Sequence, residues 1–217
     1  AYIGWVSRTD IDQWCDESDA MLRGFNEVLN LEAFSTGGWT GERFKTEFLM
    51  KKVWAVTEAK HTELWPAIRS TSGNTIVKKL LDMLAAADRG IPSDEVIELG
   101  RIPYVIGQSI ASEILHKCRP DRFVIKNKRS HWGMAFILDQ GDGPSFPESM
   151  TYSTFQMYVD LVMQELTAWL SDRGVIFDPR YRYYIGDRFF MYITEDEANK
   201  KCISMYYRGR SDDHWWR

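Results

Sequence analysis

Apolar residues recur at intervals of three and four along most of this chain, and this spacing limits the fold more than any other feature. The clearest example is residues 74–87, whose Ile, Val and Leu residues are Ile76, Val77, Leu80, Leu81 and Leu84. Such spacing places them on one face of a helix, and Gly90 followed by Pro92 is a typical helix end. The same spacing predicts helices at 9–30, 41–60, 94–100, 108–118, 128–138 and 153–172. We therefore expect a mainly α-helical bundle.

The remaining segments are harder to interpret. Residues 66–73 are expected to form a loop, and residues 139–150 contain two glycines and two prolines, which indicates a second loop. For a chain of 217 residues we expect one domain, with a boundary between two helical lobes near 139–150 as the alternative. Residues 175–177 and 202–207 could add a small β element near the C-terminus. The alternation of Arg and Tyr in 180–184 is typical of a half-buried strand.

Several functional classes are excluded by what the sequence lacks. Its apolar runs are too short to cross a membrane, and no positively charged start followed by an apolar stretch is present, so no signal peptide is expected. Three widely spaced cysteines, Cys15, Cys118 and Cys202, indicate a reducing compartment, so we expect a cytoplasmic protein. No nucleotide-binding loop, nucleophile elbow or metal-ligand spacing is present, and neither a cofactor nor a metal is expected. The first residue is Ala1 rather than Met, which leaves room for a further domain or subunit.

The sequence of residues 102–115 predicts a hairpin of two helices, joined by a tight turn that ends at Gly107. Glycine can adopt a left-handed backbone conformation and lets another backbone, such as a sugar-phosphate strand, approach closely. The amides of Gln108, Ser109 and Ile110 would then lie at a helix N-terminus, where they and the helix dipole favour a phosphate oxygen. An ordinary pair of helices with glycine in its turn accounts for this segment equally well.

A basic segment follows the predicted hairpin, and it favours a nucleic acid partner. Its six cations, with Asp121 as the one acid among them, are Lys117, Arg119, Arg122, Lys126, Lys128 and Arg129. The net charge of the whole chain is −4, so this cluster stands out as a local positive field that a polyanion would seek. We expect salt-dependent contacts to DNA, or to RNA, from Gly107, Gln108, Ser109, Asn127 and five of these cations, namely Lys117, Arg122, Lys126, Lys128 and Arg129. His116 and His131 flank the segment and could donate to phosphate.

Residues 107–111 and 120–125 together resemble the hairpin region of helix-hairpin-helix DNA glycosylases. The matching runs are Gly107-Gln108-Ser109-Ile110-Ala111 and Pro120-Asp121-Arg122-Phe123-Val124-Ile125. The runs Pro-Asp-Arg-Phe at 120–123 and Asn-Lys-Arg-Ser at 127–130 also resemble uncharacterised prokaryotic restriction- and defence-associated proteins. The resemblance covers residues 102–131 and implies a helix-hairpin-helix element that binds DNA in repair, restriction or phage defence.

Two departures from the glycosylase pattern change the expected chemistry. Val105 replaces a second glycine, and Lys126 occupies the position of the catalytic Asp. A lysine repels the cationic sugar that a carboxylate would stabilise, so we expect a DNA-binding protein that is not catalytic by itself. The first alternative is a glycosylase-like or lyase-like repair enzyme that uses the Lys126 amine, its pKa lowered by Lys128 and Arg129. The second is a protein-interaction module that presents the basic segment to an acidic partner.

Overall fold

The computed structural model describes residues 8–138 and 150–195, and their regular structure is helical. In chain order the helices are α1 (Arg8–Val28), α2 (Leu31–Ser35), α3 (Gly41–Arg43), a π-helix (Phe44–Leu49), α4 (Met50–Lys52), α5 (Trp54–Glu58), a 3-10 helix (Ala59–His61), α6 (Leu64–Ser70), α7 (Gly73–Asp88), α8 (Ser93–Gly100), α9 (Gln108–Cys118), α10 (Lys128–Leu138), α11 (Tyr152–Ser171), a second 3-10 helix (Pro179–Tyr181) and α12 (Arg182–Glu195). The prediction of a mainly α-helical fold is therefore confirmed.

The helices with the clearest apolar spacing begin and end close to their predicted positions. The helices α9 and α10 have the predicted bounds, and α7, α8 and α11 differ from them by one residue at one or both ends. Side-chain capping contributes to this agreement at the starts of α10 and α11. For example, the Thr151 side chain accepts a hydrogen bond from the amide of Thr154 at the start of α11.

Residues 41–60 do not form the single helix that the sequence predicts. Two short α-helices flank a π-helix, and the chain leaves helical geometry at Val53, where ψ is 113°. At this break the amides of Trp54 and Ala55 donate to the carboxylate of Glu113 on α9. The predicted loop at 66–73 is also wrong, since α6 occupies most of it, with Pro66 in the first turn where no helical amide is lost.

The C-terminal part of the described chain contains no β-strand. Residues 175–177 are not in a strand, and residues 180–184, predicted as a half-buried strand, belong to the second 3-10 helix and α12. The predicted strand at 202–207 lies outside the described residues. The rings of Tyr181, Tyr183 and Tyr184 are buried in the core, while their hydroxyls bond to acidic side chains of α1 and α11. These bonds satisfy the polar end of each buried tyrosine.

Helix α9 lies among several other helices and packs against α1, α5, α7 and α8. Helices on both sides of residues 139–149 contribute to the same hydrophobic core, because α8 packs on α11 and α10 packs on α12. The predicted lobe boundary falls almost wholly on residues outside the described ranges. Over 8–138 and 150–195, no helix has both the length and the apolar character required to cross a membrane.

Candidate functional site

The turn before α9 is closed by three backbone hydrogen bonds. Ile102 and Ile106 exchange amide-carbonyl bonds of 3.1 and 2.8 Å, and the amide of Val105 also donates to the carbonyl of Ile102, at 2.9 Å. Val105 and Ile106 are buried, whereas Pro103 and Tyr104 at the tip are exposed. The turn is thus fixed at its base, and its tip faces solvent.

The left-handed residue of this turn is Tyr104, not Gly107. Tyr104 has φ of 63° and an exposed fraction of 93%. Gly107 has φ of −85° and ψ of −179°, an extended conformation open to any residue. The expectation that Gly107 supplies left-handed geometry to the turn is therefore wrong. Sequence analysis missed Tyr104, although the Pro103-Tyr104 pair in a tight turn was a usable signal.

Gly107 nevertheless leaves the N-terminus of α9 open. It is exposed, and no atom of the described residues lies within 4 Å of the position that a Cβ would occupy. No described side chain caps α9, and its first helical bond runs from the amide of Ala111 to the carbonyl of Gly107, at 3.1 Å. The amides of Gln108, Ser109 and Ile110 precede that bond and have no acceptor within the helix. A ligand with negatively charged oxygens could approach them there.

Three cations of the basic segment are held by carboxylates. These ion pairs are Lys117–Glu113 at 2.5 Å, Arg119–Asp88 at 2.6 Å and Arg129–Asp187 at 3.0 Å. Two further cations donate to backbone carbonyls at 2.5 Å, Arg122 to Ala87 and Lys126 to Met150. The expectation of a nearly uncompensated positive field is therefore wrong. The carboxylates that pair with these cations lie on other helices or, for Glu113, one turn earlier on α9.

Asn127 was predicted to contact nucleic acid, but it caps a helix. It is only 8% exposed. Its side-chain oxygen accepts from the amide of Ser130 at 2.9 Å, and the Ser130 hydroxyl accepts from the amide of Asn127 at 3.0 Å. His116 and His131 are also buried, so neither imidazole is placed to donate to a phosphate at the surface.

Some of the predicted contact residues do lie together. The Ser112 hydroxyl donates to the carbonyl of Ser109 at 3.1 Å and accepts from the amide of Lys126 at 3.0 Å, which holds residues 126–128 beside the first turn of α9. Lys128 is half-buried, with its Nζ 4.4 Å from the centre of the Trp132 ring. Lys117 lies at the other end of α9, roughly 12 Å from Ser109 along the helix axis.

The Lys126 amine occupies a partly buried position. Its Nζ donates to the carbonyl of Met150, with that of Thr151 at 3.4 Å. Burial lowers the pKa of Lys126 to about 8, although the charge of Asp94 opposes this change. The sequence-based expectation that Lys128 and Arg129 would lower this pKa identified the wrong cause.

Asp94 joins the start of α8 to the start of α11. Its Oδ1 accepts from the amides of Tyr152 and Ser153 at 2.7 and 3.1 Å, and its Oδ2 bonds to the Ser153 hydroxyl. Burial alone would raise the pKa of Asp94, but these hydrogen bonds and the nearby Lys126 lower it overall. Asp94 therefore fixes the carbonyls of the α11 N-terminus against which the Lys126 amine lies.

No protein-family model matches this chain, and neither does any of the curated proteins or solved structures compared with it. The resemblance of residues 102–131 to helix-hairpin-helix DNA glycosylases gains no support from these comparisons and stays a prediction. Among the residues that the structure describes, no three His, Cys, Asp or Glu side chains are grouped as a metal ion would require.

Proposed function

We propose that this chain binds nucleic acid, and DNA in particular, through the hairpin surface formed by Pro103, Tyr104, Gly107, Gln108 and Ser109. The single observation that supports this proposal best is the open N-terminus of α9 at exposed Gly107, next to an exposed aromatic residue. Helix N-termini bind phosphate through their amides and dipole. Aromatic faces bind bases by stacking. Both kinds of group lie here within one short segment.

Binding at this surface would use few charges. A phosphate oxygen would accept from the amides at the start of α9, and the missing Cβ of Gly107 would let the sugar-phosphate backbone come close. Lys128, in the segment 126–128 that Ser112 holds beside the first turn of α9, would add positive charge. The side chains of Lys117, Arg122 and Arg129 would keep their intramolecular partners and serve the fold.

Salt dependence measures how many phosphates are contacted. The slope of log K against log salt is about −0.9 for each phosphate neutralised on duplex DNA. We expect a slope of about −1 to −2 for the hairpin surface, whereas contacts from all six cations of the basic segment would give about −5. Filter binding of the full chain to a short duplex over a series of salt concentrations gives this value. The same titration with an RNA of matching sequence ranks the two nucleic acids.

Gln108→Glu is the most informative variant for this proposal. A carboxylate in the first turn favours the helix through its dipole, so the fold is retained, but it repels phosphate from the adjacent amides. We expect roughly tenfold weaker binding at low salt. Gln164→Glu, at an exposed position of α11, makes the same change in charge and should bind like the unmodified chain. Equal affinities for both variants, or no affinity of the unmodified chain for any nucleic acid, would refute the proposal.

We place such a protein in the cytoplasm, in DNA repair, restriction or phage defence. These assignments depend on the resemblance of residues 102–131 and on the sparse cysteines. Burial of Cys118 raises the pKa of its thiol to about 12, and Cys15, whose pKa is raised to about 11 mainly by burial, is likewise free. Free, protonated thiols are compatible with a reducing compartment.

A second candidate function is DNA lyase activity, and the lowered pKa of Lys126 supports it. An amine with a pKa of about 8 is substantially neutral near that pH, and a neutral amine attacks aldehydes. The Nζ would add to the aldehyde carbon of an opened abasic sugar, and loss of water would leave a Schiff base. Trapping with borohydride should give a covalent adduct that Lys126→Gln abolishes and Lys128→Gln retains. If the unmodified chain gives no adduct with abasic DNA, this candidate is eliminated.

A further inference from the structure

Tyr104 is a large aromatic residue that adds little to the fold. Its side chain is 93% exposed, and its backbone has φ of 63°. Residues other than glycine adopt this left-handed conformation rarely, because the Cβ is crowded by the following carbonyl. Glycine or asparagine would be the expected residue in such a turn. Neither burial nor backbone preference explains a tyrosine here.

The turn holds Tyr104 in a defined position. The bonds between Ile102 and Ile106 close the turn on both sides of the tip. The preceding Pro103 restricts its own φ angle, and Val105 and Ile106 anchor the turn in the core. An aromatic side chain is thus carried on a fixed backbone, three residues before the open end of α9.

We infer that Tyr104 stacks on an unpaired or extruded base, so that the preferred ligand is nucleic acid with an unstacked position rather than intact duplex. This inference rests on the proposed function. An aromatic face can stack on any base once that base is freed from its neighbours, and exposed side chains can enter a base step and unstack it. A phosphate held at the amides of Gln108 and Ser109 would place the adjoining nucleotide next to the ring. A pocket in a partner protein would also accept a tyrosine, but it would gain nothing from the anion-binding end of α9.

The test compares the affinity of the full chain for three end-labelled ligands by fluorescence anisotropy. These are an intact duplex, the same duplex with one unpaired base, and the corresponding single strand. We expect the unmodified chain to bind the two ligands with unstacked bases about tenfold more tightly than intact duplex. Tyr104→Ala should lose this preference, so that its three affinities become equal, and Tyr104→Trp should retain it. Ile176→Ala, at another exposed apolar position, should behave like the unmodified chain.

A fluorescent base analogue at the unpaired position reports the contact directly. Stacking on Tyr104 should change its emission when the unmodified chain binds, and Tyr104→Ala should abolish that change. If all three ligands bind equally, or if Tyr104→Ala keeps the preference, the inference is overturned while the proposed function stands. If Gln108→Glu binds as tightly as the unmodified chain and no ligand is preferred, both fail. Failure of Tyr104→Ala to alter any affinity would assign the exposed ring to another class of partner and overturn the inference.

Discussion

Replacing Glu113 with alanine should destabilise the protein more than almost any other single change on α9. The carboxylate is only 1% exposed and lies between α9 and the start of α5. It accepts hydrogen bonds from the amides of Trp54 and Ala55 at 2.6 and 2.7 Å, and from Lys117 Nζ at 2.5 Å. In Glu113→Ala all three donors lose this acceptor at once.

The size of the effect follows from the burial of these donors. Removing one partner of a buried ion pair typically costs about 3–5 kcal/mol, because the other charge is left without compensation. Lys117 keeps a bond of 3.1 Å to the carbonyl of Lys52 and is 14% exposed, so part of its charge can be solvated. We therefore expect a loss near the lower limit, about 3 kcal/mol, which lowers the Tm by roughly 6–12 °C for a chain of this size.

Urea unfolding followed by far-ultraviolet circular dichroism measures this loss as a decrease in the transition midpoint. Glu98→Ala is the matched control, because Glu98 also pairs with a cation, Arg101, but is 62% exposed. An exposed pair of this kind contributes about 0–1 kcal/mol. A loss below about 1 kcal/mol for Glu113→Ala, or equal losses for the two variants, would show that the buried carboxylate does not hold α5 and α9 together as we argue.

Three further predictions concern the packing, the ionisation and the capping of this region. A Cβ on Gly73 would lie 2.6 Å from the amide nitrogen of Glu42 in α3, so Gly73→Ala should lower the free energy of unfolding by about 1–3 kcal/mol; an unchanged urea midpoint would contradict this contact. The pKa of Lys126 is about 8 in the folded chain against an ordinary value of 10.5, so the unfolded state binds more protons between these values and the contribution of Lys126 to stability rises with pH across that interval. Lys126→Gln should remove this rise, and an NMR titration of methylated lysines should give a midpoint near 8 for Lys126; a midpoint near 10.5 would be inconsistent with its burial. Asn127→Ala should cost about 0.5–2 kcal/mol of stability through loss of the α10 cap, yet leave nucleic acid affinity unchanged, and weaker binding with unchanged stability would reverse this assignment.

The helices were predictable because their causes are local. Apolar spacing determines where α9, α10 and α11 lie, and the nearby caps Asn127 and Thr151 fix the starts of α10 and α11, so each cause lies within a few residues of its effect. The break at Val53 could not be predicted in this way. It depends on Glu113, which lies 59 residues from Trp54 along the chain.

The carboxylate partners of the basic residues could not be predicted from the local sequence either. The acids that pair with Arg119 and Arg129 lie 31 and 58 residues away in the sequence. Counting acids within residues 117–129 therefore could not reveal the partners of these cations. The alternation of Arg and Tyr in 180–184 favoured a strand, and it could not reveal that the acids bonded to the Tyr181 and Tyr183 hydroxyls lie on α1 and α11.

These ion pairs also limit how the protein could hold a nucleic acid. A binding mode in which Lys117, Arg119 and Arg129 contact phosphates would have to separate each cation from its carboxylate. The Glu113 and Asp187 side chains would then remain largely buried without the cations that compensate their charge. A mode that used the hairpin surface would break none of these pairs, because its donors are backbone amides and its base contact is a side chain already in solvent. The two modes differ in salt slope, since only the first neutralises many phosphates. A shallow slope combined with a preference for unpaired bases would therefore assign binding to the hairpin surface, whereas a steep slope would require the ion pairs of α9 and α10 to open.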